Sequence, residues 1–141
     1  MSLIKQTIVV RTKYPDGKGG LRNLRFGKLI AQSCHASMAF LSKKVMNNLS
    51  LSEVEKQWLD NSYAKICLYV DSEEELLKIH NDALEAGLES NLVTDSGKTE
   101  FRGILTNTCI AIGPDHSEKI DKITNNLKLY LCKTLTSSAK S

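Results

Sequence analysis

The chain is 141 residues long, 41% hydrophobic and 25% charged, with a formal net charge of +3. That length is enough to bury one real core and argues against a second folded domain, so we expect one domain over residues 1–132 and a short polar tail over 133–141. The charge is too mild to indicate a nucleic-acid partner unaided, no apolar run is long enough to cross a bilayer, and the Met1 end lacks the pattern of a secretory signal.

Thr7-Ile8-Val9-Val10 is short, apolar and β-branched, which predicts a strand from Gln6 to Arg11 that is covered on both faces. Tyr14-Pro15-Asp16-Gly17-Lys18-Gly19-Gly20 carries strong turn signals and predicts a long loop without regular structure. Between Arg11 and Lys28 stand Arg11, Lys13, Lys18, Arg22, Arg25 and Lys28 against the single acid Asp16. Such a segment suits either a phosphate backbone or a plain solvated loop.

A helix is expected from Gly27 to about Asn47, with Ala31, Cys34, Met38, Leu41 and Val45 forming the stripe laid on the sheet. A shorter helix follows over Leu51 to Trp58, its start marked by Ser52 and Glu55 as a capping box, with Trp58 as a packing residue. Lys65 to Val70 reads as a strand. Ser72-Glu73-Glu74-Glu75 reads as the capped acidic start of a helix reaching Gly87, with Leu76, His80, Ala83 and Leu84 inside.

Asn91 to Thr94 and Thr108 to Ile112 predict two more strands, the second ended by Gly113-Pro114. Asp115 then caps a last helix carrying Ile120, Ile123 and Leu127. The sum is an α/β domain with a four-stranded mixed sheet and helices on both faces. Cys34, Cys67, Cys109 and Cys132 are widely spaced in apolar runs with no paired motif, so we expect buried thiols in a reducing, cytoplasmic setting.

Lys28, Gln32 and His35 follow one another at helical spacing and share a face beside the expected apolar stripe. Gly27 and Lys28 open that helix, where free N–H groups favour a phosphate or a developing oxyanion. Asp95 ends a strand just before Ser96-Gly97, a place for a carboxylate aimed into a cleft and equally for one that caps its own turn. Lys98 and Arg102 put positive charge near it, and Thr99, Thr106 and Thr108 supply hydroxyls. No serine or cysteine is placed beside His35 in a way that demands a covalent intermediate. The three histidines and four cysteines suggest no metal site, and nothing calls for a cofactor.

Three stretches stand in this order: Gly27-Lys28-x-x-Ala31-Gln32-x-x-His35-Ala36, Thr94-Asp95-Ser96-Gly97-Lys98-Thr99-Glu100-Phe101, and Thr106-x-Thr108-x-x-Ala111-Ile112-Gly113-Pro114. Together they resemble the archaeal and eukaryotic type of peptidyl-tRNA hydrolase over about Thr7 to Tyr130. The resemblance implies an α/β esterase that cuts the ester between a peptide and tRNA, with Lys28, Asp95 and Thr108 in the catalytic positions and His35 and Thr99 supporting them. Gly27, Gln32, Arg22, Arg25, Lys98 and Arg102 are the expected substrate contacts. A homodimer is suggested by the resemblance alone. The chain departs from the family pattern at Lys13, where an acid is usual, and in the longer insert through Phe26. The alternative is a catalytically silent tRNA-binding or protein-interaction module of the same fold.

Overall fold

The computed structural model describes residues 3–98 and 101–131. Five strands form one mixed sheet. They are β1 (Ile4–Arg11), β4 (Lys65–Val70), β5 (Ser90–Asp95), β6 (Thr106–His116) and the short β7 (Lys128–Leu129), in the spatial order β5-β6-β1-β4-β7. β1 and β4 are parallel, whereas β1–β6, β5–β6 and β4–β7 are antiparallel. The fifth strand corrects the expected four: β7 is too short to carry a periodic signal, and it exists only because Leu129 and Lys128 meet Leu68 and Tyr69 at the edge of β4.

The second correction concerns the insert. Lys13–Pro15 forms β2 and Leu21–Asn23 forms β3, a separate two-stranded hairpin where a loop was predicted. Tyr14 and Leu24 are buried against Phe101, so the hairpin is held by tertiary packing that its glycine-rich sequence does not announce.

The middle of β1, Ile8-Val9-Val10, is apolar because both faces are covered. Val9, Leu68, Val70, Ile110 and Ile112 face one core with Leu76, Ala83 and Ile120, contributed by α3 (Glu73–Glu85) and α4 (Ser117–Thr124). Ile8, Val10, Cys109 and Ala111 face the other with Ala36 of α1 (Phe26–Met46). α2 (Glu53–Asp60) packs beside α1 through an edge-on contact of Phe40 and Trp58 at 5.8 Å. Ser52 and Glu55 form the predicted capping box, and Glu55 also meets the Lys44 ammonium. Trp58 is buried, its Nε1 donating to the Ala64 carbonyl at 2.9 Å.

α1 is rotated from its expected setting. Its buried residues are Gln32, Ala36 and Phe40, while Ala31, Cys34, Met38 and Val45 are exposed. The helix turns in this way because buried polar partners reward it: Gln32 bonds Thr108, and Ser37 donates to Gln6 Oε1 at 2.6 Å while Gln6 Nε2 donates to the Ser37 carbonyl at 3.1 Å. Polarity counted along the helix cannot see acceptors contributed by strands far away in sequence. With this rotation Cys34 is exposed, and Cys67 on β4 is exposed too, both against expectation; only Cys109 is buried among the described cysteines, and Cys132 lies outside the described residues.

α3 starts at the predicted Ser72 cap and buries Leu76 and Ala83, but Leu84 is about half exposed. His80 is half-buried, with its Nδ1 2.7 Å from Ser90 Oγ, in keeping with a packed histidine. β6 does not end at Gly113-Pro114 but runs to His116. Its pairing with β1 slips there, from Thr7 opposite Ile112 to Lys5 opposite Asp115, so β6 holds one extra residue and a proline without an N–H is accommodated at the bulge. The N-cap of α4 is therefore His116, without a side-chain cap, and Asp115 instead accepts from the His116 N–H at 2.7 Å.

Candidate active site

The site forms where the first turn of α1 meets the end of β5. Lys28 lies in that turn and Asp95 is the last residue of β5. Lys28 Nζ donates to Asp95 Oδ1 at 2.7 Å across 67 residues of sequence. The two side chains are 17% and 10% exposed, so the pair is mostly desolvated but open on one side. The other carboxylate oxygen, Oδ2, accepts from the Gly97 N–H at 2.9 Å. Of the two uses left open by the sequence, the turn cap is present, and Asp95 pairs with a distant lysine as well.

Gly97 makes this possible. It has φ +83°, and a Cβ there would lie 2.4 Å from the Ile104 carbonyl oxygen and 2.5 Å from the Ile104 nitrogen. Only glycine lets position 97 come this close to Ile104, with Gly103 N–H donating to the Gly97 carbonyl at 2.8 Å.

Burial alone would raise the Asp95 pKa. The Lys28 hydrogen bond, the Gly97 N–H and the charges of Lys28 and His35 together outweigh it and hold the carboxyl below its ordinary value of 3.8. Lys98 and Arg102, expected to fill this role, do not; both are exposed on the loop beyond. An ionised carboxylate retains a lone pair on each oxygen beyond the two already engaged, so Asp95 can still accept from a water.

Gln32 and Thr108 are brought together behind the pair. Gln32 Nε2 donates to Thr108 Oγ1 at 2.9 Å, and Thr108 Oγ1 donates to the Val93 carbonyl at 3.3 Å. They are 3% and 1% exposed. Their contact ties α1 to β6 and, through Val93, to β5, which fixes the helix that carries Lys28 against the strand that carries Asp95. Cys109 Sγ donates to the Gln32 carbonyl at 3.2 Å in the same seam.

The remaining expected residues are dispersed. His35 is exposed on α1, close enough to Asp95 to affect its charge but without a hydrogen bond to a described residue. Gly27 is exposed with open space where a Cβ would stand, and Arg25 is the N-cap with no side-chain cap bond. Arg22 lies with its guanidinium 5.3 Å from the Phe101 ring centre, and Arg25 is exposed. Thr99 lies outside the described residues. Among the described residues, no three His, Cys, Asp or Glu side chains are grouped to hold a metal ion, and no helix is long and apolar enough to cross a membrane.

One feature was missed by residue-by-residue reading. A cleft of about 780 Å³ opens between the β2–β3 hairpin and residues 101–106, and Lys18 lines it together with Arg22, Arg25 and Arg102. The excess of positive charge in the insert was the available signal.

The sequence profile of the family described as Peptidyl-tRNA hydrolase PTH2 matches residues 4–130. The chain is 43% identical over 128 residues to "Peptidyl-tRNA hydrolase" of Nanoarchaeum equitans, a match covering 91% of this chain and all of the relative. It is 38% identical over 126 residues to the protein of the same name from Methanothermobacter thermautotrophicus, covering 89% of this chain and 99% of the relative. It is 39% identical over 126 residues to "Probable peptidyl-tRNA hydrolase 2" of Dictyostelium discoideum, covering 89% of this chain and 54% of that longer protein. With its motifs, fold and near full-length matches to archaeal and eukaryotic relatives, this chain belongs to the peptidyl-tRNA hydrolase family.

Proposed function

We propose that this chain hydrolyses the ester joining a peptide to the terminal ribose of tRNA, and that the Lys28–Asp95 pair carries the reaction. The observation behind this reading is the 2.7 Å contact itself: two charged groups, one in the first turn of α1 and one at the end of β5, distant in sequence and mostly desolvated. Water bound to Asp95 attacks the ester carbonyl, and the oxygen of the tetrahedral intermediate takes its charge toward Lys28 and the first N–H groups of α1, with Gly27 leaving the approach open. The proton lost by the water passes through Asp95 to the departing ribose oxygen, so free peptide acid and intact tRNA result. Because its pKa is held low, Asp95 is a weak base and acts chiefly by orienting and polarising the water.

In this reading Thr108 and Gln32 position the helix instead of touching the water, His35 adds charge near Asp95, and Thr99 supports the carboxylate. Arg22, Arg25, Lys98 and Arg102 contact RNA phosphates. The decisive assay is release of free peptide acid from an N-acetyl-aminoacyl-tRNA by purified protein, with unblocked aminoacyl-tRNA beside it. Binding without release would favour the silent module.

We also propose that the active species is a homodimer in the cytoplasm. Phe26, Ile30, Met38 and Leu131 are all more than half exposed around an apolar cavity of about 640 Å³ between α1 and the β4 side of the sheet, a flank that a second copy would cover. The two exposed free thiols, Cys34 and Cys67, fit a reducing compartment. Sedimentation at micromolar concentration checks the assembly, and a monomer at every concentration would rule it out.

A further inference from the structure

The insert is built as a rigid wall. Tyr14 pairs with Arg22 across the β2–β3 hairpin, is fully buried, and donates from its hydroxyl to the Arg11 carbonyl at 3.0 Å. The hairpin turn is closed by Asp16, whose Oδ1 accepts from Lys18 N–H at 2.7 Å and Gly20 N–H at 3.0 Å. Its carboxylate is thus occupied by backbone donors of its own turn. Arg11 is also spoken for, since its guanidinium donates to the Lys13 and Asn107 carbonyls and sits 3.7 Å from Glu73.

Opposite this wall stands the 101–106 segment. Arg102 has φ +52°, a conformation rare outside glycine, and its guanidinium reaches to within 3.4 Å of the space above Gly17 in the hairpin turn. Among the described residues neither the Lys18 ammonium nor the Arg102 guanidinium is ion-paired. The cleft between the walls presents apolar surface from Pro15, Phe101, Ile104 and Leu105, the last two exposed by 66% and 72%, and five cations against two carboxylates, Asp16 held by its own turn and Glu73 beside Arg11. Cationic and apolar surface together suit a single strand, whose phosphates seek charge and whose unstacked bases seek apolar or guanidinium surfaces.

The cleft also comes close to the Lys28–Asp95 pair, through residues that neighbour it. Thr106 lines it and lies directly opposite Asp95 in the β5–β6 pairing, while Arg25 lines it three residues before Lys28. We propose that this cleft grips the unpaired 3′ strand of the RNA just before the ribose that bears the ester, with Lys18 and Arg102 taking its phosphates from opposite walls and its bases lying on Ile104 and Leu105. The inference rests on the Lys28–Asp95 reading for the position of the ester.

The test uses the full chain, the double variant Lys18→Ala with Arg102→Ala, and two substrates, N-acetyl-aminoacyl-tRNA and the same acyl ester on adenosine alone. The ratio of kcat/KM on tRNA to that on the adenosine ester should fall by roughly tenfold or more in the variant. Binding of a short single-stranded RNA with a CCA end should show a log-log salt slope flattened by about one to two units. An unchanged ratio or an unchanged slope would overturn the assignment, as would tighter binding of a blunt duplex than of the single strand. Wild-type protein that cleaves neither ester would instead sink the catalytic reading, and the binding experiment would still judge the cleft. Lys18→Glu, at an exposed turn position, gives an independent variant in which the same losses should be larger.

Discussion

Replacing Asp95 by Asn separates charge from shape at the centre of the site. The carboxylate holds two donors, Lys28 Nζ at 2.7 Å and Gly97 N–H at 2.9 Å, and an amide has only one oxygen to offer them. One of the two contacts becomes donor against donor, and the Lys28 cation, 17% exposed, loses the Asp95 charge. Hydrogen bonds to charged groups contribute about 1.5 to 3 kcal/mol, so a loss of about 1 to 3 kcal/mol is expected after relaxation. For a domain of this size that is a fall in Tm of roughly 3 to 10 °C, well short of unfolding at 25 °C. The rate should suffer far more, because losing a positioned acid–base group costs about 10² to 10⁴. Peptide release from N-acetyl-aminoacyl-tRNA under single-turnover conditions reads the chemical step, and a thermal melt reads the fold. If Lys28 and Asp95 act as one unit, Lys28→Met and the double variant should each be slowed about as much as Asp95→Asn alone, a non-additive pattern. A folded Asn variant that releases peptide at near the wild-type rate would refute the mechanism.

Chelation should leave turnover intact, since no carboxylate joins Asp95 to make a hard-cation site among the described residues; activity abolished by EDTA and restored by one divalent ion, with the tRNA kept folded, would contradict this. His80 has its pKa pushed below 6.5 by burial and then by the Lys43 charge. Its neutral form is favoured by the fold, so stability from this residue is present above pH 6.5 and is lost as pH falls through the folded value; chemical denaturation at several pH values should show that loss, and His80→Gln should remove it. Burial pushes the Cys109 thiol up to about 12, so a thiol reagent at neutral pH should reach Cys109 only on unfolding. Ser52→Ala removes the capping-box acceptor for the Glu55 N–H, 3.1 Å away, and should cost about 0.5 to 2 kcal/mol in a thermal melt without altering kcat.

Local chemistry made much of this protein legible from its sequence. The Ser52 and Ser72 caps, the β-branched runs of β1 and β4 and the helical period of α3 depend on neighbours within a few residues, and each element lies where that pattern placed it. The family motif brought Lys28 and Asp95 forward together because the residue types recur in a fixed order. What depended on partners far along the chain was not legible. The face that α1 turns inward was decided by Thr108 and Gln6, which offer Gln32 and Ser37 buried hydrogen bonds that an apolar stripe cannot make. The hairpin in the insert required Phe101 to fold back over Tyr14, at 5.1 Å between ring centres, before its strands had a surface to pack on. The state of Asp95 was likewise a tertiary outcome: the nearby Lys98 and Arg102 looked like its partners in sequence, yet Gly97 turned the loop away and left the carboxylate to Lys28. Short-range propensity chose the elements, and buried polar pairing between distant segments chose their rotation, their edges and the charge at the site.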